Sequence, residues 1–405
     1  MILALLALVL RLSQVPAGSH VTEIGPETDW CETINALAPG GEAVLRPGNY
    51  PGPCTLRRSG APGAPLVIRA QDLQDPPHVV YLGQHDNVLN VRADHVTLRG
   101  LRFGPTKPDI DAVRIYAGSD ITIEDCRFQG IGGIAVVANH ASSARVVVRR
   151  NEIIQSRATA MYFGCHDGIH CTASDLLIER NYIRGVEATE SEVGYGIQVK
   201  VNSTATIRDN VIVDTKGPGI MVYGASDLSR ISLVERNFVA GSRTSSAIVL
   251  GGGPAIVRNN VVTTSGEAGI GLEDYQRRGL LRGVVVAHNT IYANARGGIL
   301  VPAQGLLDVK IVNNAAHARA GTPPFPARRP GILSLGNVDC SALPCFTDPD
   351  QRDFSPLAIR RGSLVAEPWI PPDDYFGRRR DIPPTAGALE TPARPILPGI
   401  KPAPP

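Results

Sequence analysis

Between residues 95 and 317 the apolar positions come in short runs. Each run leads to Asn or Asp, one further residue and another apolar position: "DITIEDCRF", "RVVVRRNEI", "DLLIERNYI", "ATIRDNVI", "SLVERNFV", "AIVRNNVV", "VVVAHNTI" and "VKIVNNAA". The turn residues are Asp125, Asn151, Asn181, Asn210, Asn237, Asn260, Asn289 and Asn314, spaced 23 to 30 residues apart. Every period holds a second apolar strand that opens on Gly or Ala: "AVRIYAG", "GIAVVAN", "AMYFGCH", "GIQVKVN", "GIMVYGA", "AIVLGGG", "GIGLEDY" and "GILVPAQ". Two or three short strands per period predict a solenoid of stacked coils. The period is too short for an α-helical repeat and lacks the Leu-rich consensus of a horseshoe, which leaves a parallel β-helix. Each coil then sets its turn above the last, and the asparagines stack into side-chain ladders.

Alternation sorts the second strand, because residues i and i+2 share a face. We take Val113, Ile134, Met161, Ile197, Ile220, Ile248, Ile270 and Ile299 as the same inward position in successive coils. The next residues then form an outward column, Arg114, Ala135, Tyr162, Gln198, Met221, Val249, Gly271 and Leu300. A second column reads Tyr116, Val137, Gly164, Lys200, Tyr223, Gly251, Glu273 and Pro302, and a third reads Gly118, Asn139, His166, Asn202, Ala225, Gly253, Tyr275 and Gln304. With coils about 4.8 Å apart, Tyr162, His166, Gln198, Lys200, Asn202 and Tyr223 fall into one exposed patch. Arg114 and Tyr116 lie below it, and Glu273 and Tyr275 above. Ile197, Val199 and Val201 are assigned to the inward face, so Lys200 points out of the core. A groove for an extended sugar chain needs such a set: aromatics for pyranose faces, amides and hydroxyls for sugar hydroxyls, and cations for carboxylates.

The chain has 405 residues, 43% hydrophobic content and a net charge of +2, which argues against a nucleic-acid binder. With 42 Gly, 33 Pro and 5% aromatics, it favours short strands and tight turns over helices. The opening "MILALLALVLRLSQVPAGS" predicts a secretory signal over residues 1–18, followed by a β-helix domain over 30–390. The Pro-rich end, 391–405, reads as a disordered or polyproline tail, and "AGTPPFPARRPG" as a long excursion. No other segment is a membrane-span candidate. Three cysteine pairs are close in sequence, Cys31 with Cys54, Cys165 with Cys171 and Cys340 with Cys345, and Cys126 is left over inside an apolar strand. Disulfides at these pairs fit a secreted or periplasmic protein. The alternative is a zinc site in "CHDGIHC".

The chain resembles the right-handed parallel β-helix superfamily of secreted carbohydrate-active proteins, over roughly residues 30–390. The resemblance rests on the repeats, on the front "INALAPGGEAVLRPGNYPGPCTLRRSGAPGAPLVIRAQ", where a short helix caps the solenoid, and on the closing "DFSPLAIRRGSLVAE" and "DDYFGRRRDIPPTAGALE". "YGIQVKVNSTATIRDNVI" is similar to the catalytic stretch of family-six polysaccharide lyases and of mannuronan epimerases. The resemblance places the base that removes the C5 proton of a uronate at Lys200. In the lyases an "RHG" stretch in the next coil supplies an arginine acid; "MVYG" stands there, so the acid partner is Tyr223 or none. Arg114, Gln198 or His166 is then left to neutralise the carboxylate. Calcium is the cofactor that the resemblance implies; Glu190 and Glu192 lie near but out of register, and the metal ligands stay unassigned. The expected protein is a monomeric lyase acting on an acidic polysaccharide. The alternatives are a C5-epimerase, a glycoside hydrolase and a glycan-binding or structural β-helix without catalysis.

Overall fold

The computed structural model describes residues 21–279, 281–357, 362, 369–391 and 394–401. The expected signal segment, 1–18, lies outside the described residues. The described strands build three long parallel sheets of 13, 12 and 10 strands, in which each strand bonds its counterparts one coil earlier and one coil later. One coil shows the plan: Leu176–Glu179 lies in the first sheet, Tyr182–Val186 in the second and Ile197–Val199 in the third. The next coil repeats it with Ala205–Arg208, Val211–Thr215 and Ile220–Val222. Ile178, Ile183 and Ile197 of the one coil, and Ile207, Ile212 and Ile220 of the next, point inward and are fully buried. Such branched side chains stack well on a pleated surface, and each contributes about 1.5–3 kcal/mol by leaving water.

A seven-residue helix, Trp30–Ala36, covers the first coils. Asp29 caps it by accepting the Glu32 N–H, and its buried face carries Trp30 and Ile34. A helix this short is not stable alone. The Trp30 indole donates to the Pro51 carbonyl at 2.8 Å, and the Cys31–Cys54 disulfide ties it to the strand Cys54–Leu56. At the other end the Pro-rich excursion continues the third sheet: Gly298 and Ile299 donate to the Pro323 and Pro324 carbonyls, each at 3.0 Å. An edge that would otherwise invite pairing is thereby covered.

The asparagine ladder exists, with one member replaced. Asn151, Asn181, Asn210, Asn237, Asn260, Asn289 and Asn314 are fully buried. Asn210 shows the linkage: its Oδ1 accepts the backbone N–H and the Nδ2–H of Asn181, and its own Nδ2 donates to Ile178 O at 2.9 Å. The residue before each ladder position turns the chain in the left-handed region, as Arg180, Asp209 and Arg236 do at φ of 55°, 57° and 53°. The buried amide satisfies the backbone groups that such a turn exposes. In the coil of "EDCRF" the ladder position is Cys126, whose N–H bonds Asn151 Oδ1 at 2.9 Å. Asp125 is the preceding turn residue and pairs outward with Arg150 at 2.7 Å.

Of the expected disordered or polyproline tail, residues 392–393 and 402–405 lie outside the described residues, and residues 394–401 depart from the expectation. Ile396 and Lys401 are buried, and Lys401 Nζ bonds Asp209 Oδ1 at 2.8 Å and the Tyr375 carbonyl at 2.7 Å. Proline content did not reveal that this segment carries its own apolar anchor and a buried ion pair.

Replacing Asn210 with Ala strands the Asn181 donors and the Ile178 acceptor in a dry turn. We expect a loss on the order of 3 kcal/mol in chemical denaturation, against at most about 0.5 kcal/mol for Arg184→Ala on the exposed flank.

Candidate functional site

From Met161 upward the strand columns follow the expected register: Tyr162 pairs with Gln198, Gln198 with Met221, Met221 with Val249 and Val249 with Gly271. Below it the register differs by two residues. Arg114 pairs with Val137, and Val137 with Tyr162, so Val137 and not Ala135 stands between them. The stretch Ile134–Ala138 is apolar at every position, so alternation cannot tell its faces apart. Arg114 and Tyr116 do not join the Lys200 patch. Arg114 is held by Asp111 at 2.6 Å and by Asn139 at 2.9 Å, and Tyr116 packs against Arg92 and His140. Arg114 is therefore not the cation that would face a carboxylate beside Lys200.

Lys200 points out of the core but is not solvated: it is 2% exposed. The outer side of the third sheet carries a small second apolar cluster of Val201, Met221, Tyr223 and Val249, with Tyr195 and Tyr275 packed against it. The strand ends at Val199, and the chain turns through Asn202 at φ 57°. Val201 therefore joins the outer cluster and not the inward face. Asn202 is spent on the turn, donating to Gly168 O at 3.1 Å and accepting the Ser226 N–H at 2.9 Å. Alternation holds only while the strand lasts, and it does not say that an outward face meets water.

Within this cluster Lys200 Nζ lies 3.9 Å from the Tyr223 ring centroid, 5.7 Å from that of Tyr162 and 5.8 Å from that of Tyr275, and donates to His166 Nδ1 at 3.1 Å. Ring faces attract a desolvated ammonium, but they do not replace its water in full. Burial, assisted by the charge of Arg278, lowers the Lys200 ammonium to about 8. The other buried Lys and Arg side chains among the described residues are differently placed: Arg380 pairs with Glu390 at 2.9 Å and Lys401 with Asp209 at 2.8 Å. Among the described residues no carboxylate pairs with Lys200.

Tyr223 is also 2% exposed, and burial pushes its phenol far up. Its hydroxyl accepts from Gln198 Nε2 at 3.1 Å and lies 3.1 Å from the hydroxyl of half-buried Tyr195. Its ring meets that of Tyr275 edge-on at 4.5 Å. Tyr275 reaches it past Gly251, where a Cβ would stand 2.9 Å from Tyr275 Cβ. His166 is exposed on the loop closed by the Cys165–Cys171 disulfide, so these cysteines are not zinc ligands. Tyr162 is half-buried, its phenol pushed up to about 12 by burial. Glu273 stands at the outer rim, its carboxyl raised by desolvation and by Glu267. The structure thus brings together Tyr162, His166, Gln198, Lys200, Tyr223 and Tyr275. It adds Tyr195 and Arg278, which column reading missed because both lie just outside the strands.

The acids beside the lysine strand form no cluster. Glu192 accepts the Thr189 N–H at 3.0 Å and the Thr189 hydroxyl at 2.7 Å. Lys216 Nζ donates to the carbonyls of Thr189, Glu190 and Glu192, so an ammonium fills the cage of oxygens there. Among the described residues no group of three or more His, Cys, Asp or Glu is arranged to hold a metal. This donor set does not fit calcium.

Residues 111–233 and 167–322 match the family described as the right handed beta helix region, and together they span more than half of the chain. The chain belongs to the right-handed β-helix family. A comparison with curated proteins finds no match. Among solved structures this β-helix is similar to an alginate lyase from Paenibacillus sp. str. FPU-7, at 17% identity and a TM-score of 0.51, covering 79% of this chain and 99% of that one. It is also similar to the A-module of the Azotobacter vinelandii mannuronan C-5 epimerase AlgE4, at 15% identity and 0.55, covering 74% and 87%. For the pectate lyase Pel9A the values are 13% and 0.51, covering 93% and 91%. At these identities the likeness is one of fold. The disulfides Cys31–Cys54, Cys165–Cys171 and Cys340–Cys345 fit an extracytoplasmic β-helix.

Lys200 makes stability depend on pH. Its amine titrates near 8 in the fold and near 10.5 in the unfolded chain, so between these values the unfolded chain holds more protons and stability rises with pH. Lys200→Met removes this term and leaves that of Lys401, whose ammonium is also lowered by burial to about 8. The variant should melt above the wild type at pH 7, and the gap should close as pH approaches 10.5; a gap independent of pH would mean that the amine is not desolvated.

Proposed function

We propose that this β-helix acts on an acidic, uronate-containing polysaccharide outside the cytoplasm and cleaves it by β-elimination. The observation that carries the reading is Lys200: a buried amine lowered to about 8, with no carboxylate partner among the described residues, on the outer face of the third sheet. A lysine works as a general base only when part of its population is neutral near the working pH, and burial provides that. Lys200 Nζ takes the C5 proton, the electron pair of that C–H bond becomes the C4–C5 double bond, and the C4–O bond breaks. The departing oxygen takes a proton from Tyr195, whose hydroxyl is hydrogen-bonded to that of Tyr223. Tyr223 is the inner partner of this pair, because its burial keeps it from the leaving group. His166 covers the amine from the solvent side and moves off as the sugar enters. Tyr162 and Tyr275 supply ring faces for the sugar, and no step runs through calcium.

A second reading, glycan binding without chemistry, is favoured by the 2% exposure of both Lys200 and Tyr223. Incubation with a panel of uronate polymers, followed by absorbance of unsaturated ends and by C5 stereochemistry, separates them. A lyase produces unsaturated ends at a rate that rises with pH through about 8, the neutral amine being the active form. Lys200→Ala should then lower turnover on the order of 10³-fold with oligosaccharide affinity nearly kept. Inverted C5 centres without unsaturated ends would make the enzyme an epimerase. Neither product with any polymer, together with measurable binding, would leave the glycan-binding reading.

A further inference from the structure

Arg278 follows the short turn Tyr275–Arg277 above the third sheet. Its Nε donates to the Tyr275 carbonyl at 2.9 Å, and its guanidinium carbon lies 4.9 Å from the centroid of the Tyr275 ring. Lys200 Nζ lies 5.8 Å from the same centroid, so the two cations are no farther apart than the sum of those distances, about 11 Å. The side chain is only partly exposed, and its Nη2 is buried without a hydrogen-bond partner. Asp274 is the carboxylate within its electrostatic reach, and one of its oxygens already accepts the Gly279 N–H at 2.9 Å.

Half-buried Arg352 also keeps a buried Nη1 without a partner, over the Phe238 ring at 5.5 Å, but other buried guanidinium groups are held by carboxylates. Arg114 is forked onto Asp111, Arg236 is held by Asp209 and Glu235, and Arg380 is held by Glu390. Desolvating guanidinium N–H groups that lack an acceptor, as those of Nη2 do here, is unfavourable, and a second desolvated cation lies within reach. At Lys200 and Arg278 two desolvated cations, neither in an ion pair with a carboxylate among the described residues, lie on either side of the Tyr275 ring. An anion entering there gains from both charges in a medium that screens them poorly.

We propose that Arg278 is the specificity residue of the site and holds the carboxylate of a uronate residue in the bound polysaccharide, the role expected above of Arg114, Gln198 or His166. The inference rests on the acidic-polysaccharide reading above. A carboxylate matches the planar donor edge of a guanidinium, and the charge that neutralises it comes from the protein without a metal.

Calorimetric titration with oligogalacturonate and oligomannuronate, with their carboxyl-reduced neutral counterparts and with a sulfated neutral oligosaccharide tests it on the wild type, Arg278→Gln, Arg278→Lys and Arg114→Gln. At least one acidic oligomer should bind, Arg278→Gln should weaken it tenfold or more and reduce its salt dependence, and Arg278→Lys should recover part of the loss. Arg114→Gln should bind as the wild type, and the reduced oligomers should bind weakly and equally to the wild type and Arg278→Gln. The inference is overturned if Arg278→Gln binds acidic oligomers like the wild type, if reduced oligomers bind as tightly as acidic ones, if no acidic oligomer binds, or if only the sulfated sugar shows Arg278 dependence. Arg278-dependent binding without unsaturated ends or C5 inversion would retain the subsite while the proton-abstraction reading fails.

Discussion

The buried amide of the asparagine ladder is the interaction on which the rest of the molecule depends. A coil some 25 residues long has no helix to brace it, and its sharpest turn uses left-handed residues that expose backbone donors and acceptors. Each ladder amide satisfies those groups and joins its coil to the ones on either side. Because the turns are stacked without slippage, strands in all three sheets stay in register, and side chains far apart in sequence become neighbours in columns. Tyr162, Gln198 and Met221 are aligned for that reason.

The same repetition explains what the amino-acid pattern could and could not convey. Strand identity in the repeated coils and the columns above Met161 follow from a period that recurs eight times, with the same small set of residues in the same places. The capping helix was implied by the resemblance of the front segment, and the coils beyond those eight repeats, in a sheet of 13 strands, carried no such signature. Failures occurred where the local pattern loses contrast. At Ile134–Ala138 both faces are apolar, so the register was off by two; in "EDCRF" a buried cysteine stands where an asparagine was expected, so the neighbouring Asp125 was mistaken for the ladder. Val201 was placed inside because alternation was carried past the end of its strand. Tyr195 and Arg278 lie on loops, where periodicity carries no information about direction.

Lys200 illustrates a more general limit. Its outward direction was legible, and its environment was not, because burial on the outer face is created by Tyr195, Tyr223 and Tyr275 together, from three different coils. A desolvated amine is a poor contributor to stability and a useful one to proton chemistry, since the medium that disfavours its charge also brings its titration near neutrality. The likeness to these solved structures is confined to the fold, so Lys200 as a base rests on this local environment, while the uronate class is what the resemblance implies.

Gly251 has a consequence for how such a molecule can change over time. Solenoids are usually modular, each coil touching only its neighbours, so that whole coils can be gained or lost with little effect elsewhere. Here the missing side chain at Gly251 lets Tyr275 lean past one coil to meet Tyr223 at 4.5 Å and approach His166 at 6.3 Å. The site is therefore a unit of several coils, and the stretch between Met161 and Arg278 is one in which the repeat number is no longer free to drift.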